Sequence, residues 1–251
     1  MTIVTAVASQ KGGVAKSTSA INLSAGLARK GKKVLLIDVD PQSNSSRVLL
    51  KNYLNLKRDE TLYHTIINNK PLIIYPTPID NLMIAPSHIL LSNADIDLNN
   101  AFKREERLKT HLDKIKSDFD FVFLDCPPSL NWLTYNALAA ADKIIVPVSP
   151  GFFELESINQ INKTISEIQS QINPNLRIAG YLFTISDNTT GSKVSLKVLR
   201  QTFPEYVLNN IIPKNVDARD ASAAKMDIFG FNPKAVAAEA YTRVIEEVYG
   251  I

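Results

Sequence analysis

The sequence predicts an α/β protein with one doubly wound, mostly parallel sheet and helices on both faces. Three observations carry this prediction: short apolar runs alternate with helical patterns, carboxylates end two of those runs, and a glycine loop separates the first run from the first helical pattern. A length of 251 residues, 45% of them apolar and 21% charged, suits one large domain spanning residues 1–251. The net charge of +3 permits an acidic partner without requiring one. No apolar run approaches the roughly 20 residues of a membrane span, and the chain enters its first strand without a signal-peptide pattern. The expected location is cytoplasmic. A lone cysteine, Cys126, excludes a disulfide framework within the chain and any site that needs several cysteines.

The first strand is Ile3–Ala8, rich in β-branched and small apolar residues as a strand buried on both faces is. The first helix runs from about Lys16 to Lys30, with Ala20, Leu23 and Leu27 on one face and Gly31 placed to end it. Between them lies Ser9-Gln10-Lys11-Gly12-Gly13-Val14-Ala15-Lys16-Ser17-Thr18-Ser19. Strand, glycine loop and helix form the setting of a phosphate-binding loop. Glycine frees consecutive backbone N–H groups to point at phosphate oxygens, and the helix start adds partial positive charge. Lys16 is expected to reach the β- and γ-phosphates of a nucleotide, and Ser17 to place its hydroxyl on the Mg²⁺ that bridges them. The ordinary motif has glycine where this chain has Gln10 and Ala15. Lys11-Gly12-Gly13-Val14-Ala15-Lys16-Ser17 instead resembles the deviant Walker A motif of the ParA/MinD family of P-loop ATPases, in which Lys11 is the distinguishing residue. Family members more often carry glycine at the position of Ala15; if φ is positive there, a Cβ costs roughly 1 kcal/mol.

The second strand, Val34–Ile37, runs into Asp38-Val39-Asp40-Pro41-Gln42. Side chains alternate, so Asp38 and Asp40 face the same way if the strand continues, and Pro41 keeps Asp40 extended. This stretch is similar to the family's second motif. The resemblance implies that Asp40 orients or deprotonates the attacking water and that Asp38 helps to hold Mg²⁺ and the loop lysine. A short helix is expected over Ser43–Leu50. The region Lys51–Leu98 has Asn and Pro clusters that mark loops, with a strand at Leu82–Ala85. His64, His88 and His111 lack metal-ligand spacing. Ala101–Lys116 reads as a surface helix with Leu108, Leu112 and Ile115 on its apolar face. Phe119–Leu124 is a strand that ends in Asp125-Cys126-Pro127-Pro128-Ser129. Asp125 looks like the Walker B carboxylate, which holds Mg²⁺ through a water and completes a metal set of Ser17, Asp38 and Asp125. Cys126 reads as a core thiol.

Lys143–Val148 is a further strand, followed by a helix from about Phe153 to Ile172 and a strand at Arg177–Thr184. The next helix, Ser192–Phe203, places Lys193, Lys197 and Arg200 on one face. Ile211-Ile212-Pro213-Lys214-Asn215-Val216 is similar to the family segment that contacts adenine. The resemblance implies nucleotide contacts from Pro213, Asn215 and Val216 in addition to Lys11, Gly12, Gly13, Val14, Ala15, Lys16, Ser17 and Thr18. A last helix is expected at about Pro233–Tyr249. The stretch from Asp125 to Leu130, followed by Asn136-Ala137-Leu138, favours the ParA branch.

That resemblance covers nearly the whole chain. It implies an ATP hydrolase that uses Mg²⁺, with Lys11, Lys16 and Asp40 as catalytic residues. It further implies a homodimer formed with ATP, in which Lys11 reaches the phosphates held by the other subunit. Such a dimer binds DNA non-specifically on the nucleoid and partitions a plasmid or chromosome, its hydrolysis stimulated by a ParB-like partner. Lys193, Lys197, Arg200 and Arg219 are the DNA-contact candidates; Thr189 and Asp217 stand where family members tend to have arginine, and Lys225 joins Arg219 as a possible substitute. A protein cargo is the alternative. A MinD-like membrane switch is disfavoured, because the last helix sets Lys234 and Arg243 against three glutamates. A redox ATPase of the nitrogenase iron-protein kind needs two cysteines per subunit. The few residues before the first strand leave no room for an N-terminal helix-turn-helix.

Overall fold

The structure is a computed structural model that describes residues 1–151 and 154–251. In chain order, β1 (Ile3–Val7), α1 (Lys16–Arg29), β2 (Val34–Asp38), α2 (Asn44–Leu49) and α3 (Leu62–Ile66) form the first third. They are followed by β3 (Tyr75–Pro76), β4 (Leu82–Ala85), α4 (Ala94–Asp97), α5 (Arg107–Leu112), β5 (Phe121–Asp125) and α6 (Trp132–Ala140). The remainder is β6 (Lys143–Val148), α7 (Glu154–Gln171), β7 (Arg177–Phe183), α8 (Thr190–Thr202), α9 (Val216–Ala223), α10 (Ile228–Phe231) and α11 (Val236–Tyr249).

The strands make one seven-stranded sheet in the order β3-β4-β2-β5-β1-β6-β7, parallel except for the β3–β4 pair at one edge. Their fully buried runs follow from helices covering both faces. Along β2, Val34 and Leu36 join one core cluster with α1 and α11, while Leu35 and Ile37 join the other with α3, α5, α6 and α7. Register matters more for the site. Val7 of β1 and Asp38 of β2 both align with Asp125 of β5, so three strands deliver their carboxyl ends to one place.

Most expected elements are present with shifts at their ends. The helix read over Ala101–Lys116 is much shorter, α5 flanked by 3-10 turns at Arg104–Glu106 and Lys116–Asp118. Lys103 adopts a left-handed φ of 50°, and Asn136 of α6 accepts from Leu108 N and donates to Arg104 O, so side-chain bonds replace helical ones at that end. Asp125 lies inside β5 and not after it, because the strand is displaced toward Asp125 from the span read at Phe119–Leu124. The last helix starts at Val236, beyond Pro233. β3 falls in a stretch read as loop, where Pro76 is tolerated because the strand is an edge. The expected helix start at Phe153 lies outside the described residues. Among the described residues, no helix is long and apolar enough to cross a membrane.

Candidate nucleotide site

The loop between β1 and α1 takes its path from two left-handed residues, Gly13 at φ 76° and Ala15 at φ 60°. Ala15 is the N-cap of α1, which has no side-chain cap and no acidic residue in its first turn. The first N–H groups of the helix are therefore offered to an anion. Val14 is buried, and its carbonyl accepts from Thr184 Oγ1 at 3.0 Å, which ties the loop to the end of β7.

Lys16 is buried and its Nζ donates to Lys11 O at 2.7 Å. Burial pulls its pKa down, and the nearby carboxylates Asp125 and Asp40 pull it back up. Asp125 is completely buried; desolvation raises it to about 6, against the hydroxyls of Ser45 and Ser17 that hold it down. Asp40 is raised by burial and lowered by the Gln42 N–H, which donates to its Oδ1 at 2.9 Å, and by Lys16. One lysine thus stands beside two carboxylates whose pKa values burial raises.

The expected metal ligands divide. Ser17 and Asp125 meet through the serine hydroxyl, and Asp125 Oδ1 is buried with no hydrogen-bond partner. An orphaned buried carboxylate oxygen beside a hydroxyl fits a cation or its water. Asp38 differs. Both of its oxygens are engaged by the chain, Oδ1 by Asp40 N at 3.2 Å and Oδ2 by Ser46 N at 2.8 Å and Ser46 Oγ at 2.6 Å. Among the described residues no three carboxylate, histidine or cysteine groups converge as a closed metal site.

A cavity of about 520 Å³ opens on the loop. Gly13, Lys16, Thr18 and Asp40 line it, together with Arg47, Ser222 and Lys225. The last three carry no motif; only position after folding brings them here. Lys225, with a left-handed φ of 56°, follows the end of α9. Pro213, Asn215 and Val216 are not among the lining residues. Pro213 bridges to Ser186 and extends the β7 edge, Asn215 Oδ1 caps α9 by accepting from Ala218 N at 3.1 Å, and Val216 is exposed. Lys193, Lys197 and Arg200 are exposed on α8, with Arg200 donating to Asn209 O at 3.3 Å. Arg219 lies apart on α9 in an ion pair with Asp220 at 3.0 Å.

A phosphate loop feeding an uncapped helix, with an orphaned carboxylate oxygen at the neighbouring strand end, is how P-loop nucleoside triphosphatases are built, and the chain is one of them. The family model described as AAA domain matches residues 2–178. The chain is 35% identical to the sporulation initiation inhibitor protein Soj of Bacillus subtilis over 248 residues, 98% of this chain and 97% of that protein. It is 38% identical to the chromosome-partitioning ATPase Soj of Treponema pallidum over 244 residues, 95% of this chain and 94% of that protein. Among solved structures it resembles cobyrinic acid a,c-diamide synthase from Mycobacterium smegmatis with bound ADP and magnesium, at a TM-score of 0.83 and 32% identity, covering 98% of this chain and 93% of that one. The chain belongs to the ParA/Soj family of chromosome-partitioning ATPases.

Proposed function

We propose that this protein is a DNA-partition switch that binds Mg-ATP at the loop, dimerises around it and holds DNA non-specifically until a ParB-like partner stimulates hydrolysis. The observation that carries the reading is the loop itself: Gly13 and Ala15 take left-handed paths into the uncapped start of α1 and line one cavity with Lys16, Ser17 and Asp40. Lys16 neutralises the terminal phosphates, Lys11 reaches those held by the second subunit, and Asp40 orients or deprotonates the attacking water. Ser17 and Asp125 hold the metal, whose charge offsets that developing on the phosphate oxygens. Pro213, Asn215 and Val216 serve the base, from a segment adjoining α9.

On this reading DNA is held through phosphates by Lys193, Lys197, Arg200 and Arg219, which need no base-reading motif. Dimerisation doubles those cations and raises their effective concentration on one duplex. A membrane-held switch is disfavoured by α11. Its apolar residues, among them Tyr241, Val244 and Ile245, are buried against the core with α1, and Arg243 is paired with Glu239. The test is co-sedimentation with DNA and with anionic vesicles, each with ATP, ADP or no nucleotide. Pelleting with DNA only under ATP is expected; ATP-dependent pelleting with vesicles alone replaces this reading.

A further inference from the structure

Helix α2 carries two adjacent serines, Ser45 and Ser46, both fully buried. Ser45 Oγ donates to Asp125 Oδ2 at 2.7 Å, and Ser46 Oγ donates to Asp38 Oδ2 at 2.6 Å. Those carboxylates sit side by side in register on β5 and β2. Ser46 Oγ also accepts from Ser87 N at 2.9 Å, just beyond β4, so one hydroxyl joins α2 to two strand ends. Asp38 in turn takes Asp40 N on its other oxygen at 3.2 Å. The chain from residue 38 to residue 46 is thereby closed into a ring, with Asp40 on it.

We infer that Ser46 is a positioning residue for hydrolysis, latching α2 to β2 and β4 and so holding the Asp40 carboxylate at the phosphate loop. The inference rests on the assignment of the water-orienting role to Asp40. Within the ring, Asp40 is fixed to its own turn by Gln42 N on Oδ1 at 2.9 Å and by Ser43 N on its carbonyl at 2.8 Å. That turn contains Ser43 at a left-handed φ of 58°, so it does not adopt this path by preference. The turn is held against the sheet by Val39 N on Asp125 O at 2.9 Å and by the bonds that Asp38 receives from its two ends, Asp40 N at one and Ser46 N and Oγ at the other. Helix propensity does not explain Ser46, since alanine is the better helix former and needs no buried partner. Removing the hydroxyl leaves Ser46 N on Asp38 Oδ2 at 2.8 Å, but Asp38 loses its second donor from α2 and Ser87 N loses its acceptor, so the tie from α2 to the end of β4 is cut. A displacement of about 1 Å at a reacting group costs up to about 10²-fold in rate.

The experiment measures single-turnover ATP hydrolysis, ATP affinity and thermal melting for the parent, Ser46→Ala, Ser46→Thr and Asp40→Ala. Ser46→Ala is expected to lower the rate roughly 10- to 100-fold with ATP affinity within about threefold, and Ser46→Thr, which keeps the hydroxyl, to restore it. A Ser46→Ala rate within twofold of the parent overturns the inference. So does a rate that falls only in step with ATP affinity and melting temperature, or one that Ser46→Thr does not rescue. If Ser46→Ala does not fold, Ser46→Cys, similar in size but a weak donor, replaces it with the same outcomes. Parental turnover in Asp40→Ala refutes the catalytic assignment whatever Ser46 does, which keeps the two failures apart.

Discussion

Ala15 occupies a left-handed conformation at φ 60°, ψ 34°, where its Cβ costs roughly 1–2 kcal/mol. Glycine removes that strain and adds freedom to the unfolded chain, so Ala15→Gly is expected to change stability by less than about 1 kcal/mol and to keep ATP affinity, by denaturant melts and nucleotide titration. Lys16→Ala is expected to abolish binding of a fluorescent ATP analogue, because the buried cation among Asp40 and Asp125 is lost. Asp40→Ala should bind the same analogue yet hydrolyse ATP about 10²–10⁴-fold more slowly. Asp125 gives a pH dependence. Its pKa in the folded chain is about 6, against about 3.9 unfolded, so between those values the folded chain holds the extra proton. Its contribution to stability is therefore fully present below about pH 4 and lost as pH rises through 6. Without nucleotide and with a chelator, Asp125→Asn should melt above the parent at pH 7, and the difference should close toward pH 4.

At the scale of elements, α8 divides its surface. Lys193, Lys197 and Arg200 are exposed, as are Val194 and Val198 beside them, and Leu199 is buried in the core. The lysine stripe was legible as helical spacing; the exposure of Val194 and Val198 was not, since it depends on what packs against α8 after folding. Changing Lys193, Lys197 and Arg200 together to glutamate is expected to abolish ATP-dependent DNA binding while basal hydrolysis and dimerisation persist. Retained DNA binding with an unchanged salt slope assigns the contact to another face. The α2 segment shows the opposite case. Its length was readable to within a residue or two, but nothing local marked Ser45 and Ser46, whose partners are carboxylates that the sheet brings to them.

For the whole molecule, the loop and its helix stand at the carboxyl-terminal ends of the central strands, where β1, β2 and β5 end together. On the proposed reading the loop holds the nucleotide's terminal phosphates, and Lys11 lies on that loop. Lys11→Ala is therefore expected to bind ATP through Lys16 and Ser17 but to lose the ATP-dependent doubling of mass seen by light scattering. A variant that still dimerises on ATP removes Lys11 from the role proposed for it between subunits.

The sequence by itself determined the fold class, the glycine loop between β1 and α1, and the placing of Asp40 and Asp125 just after or at the end of apolar strands, where the structure sets both near Lys16. Each is written locally: in a glycine path, in an apolar run that stops at an acid, in residues a few positions apart. Only the tertiary structure decided that β5 lies between β1 and β2, and with it the rest of the site. Strand order and register set Asp38 beside Asp125, turned Asp38 toward Ser46, and brought Arg47, Ser222 and Lys225 to the cavity that Gly13 and Lys16 line. Apart from Asp38 and Ser46, those neighbours are far apart in the chain. Their contacts depend on which helix covers which face of the sheet, a choice made by the sum of buried surface over the whole core and not by any stretch of residues.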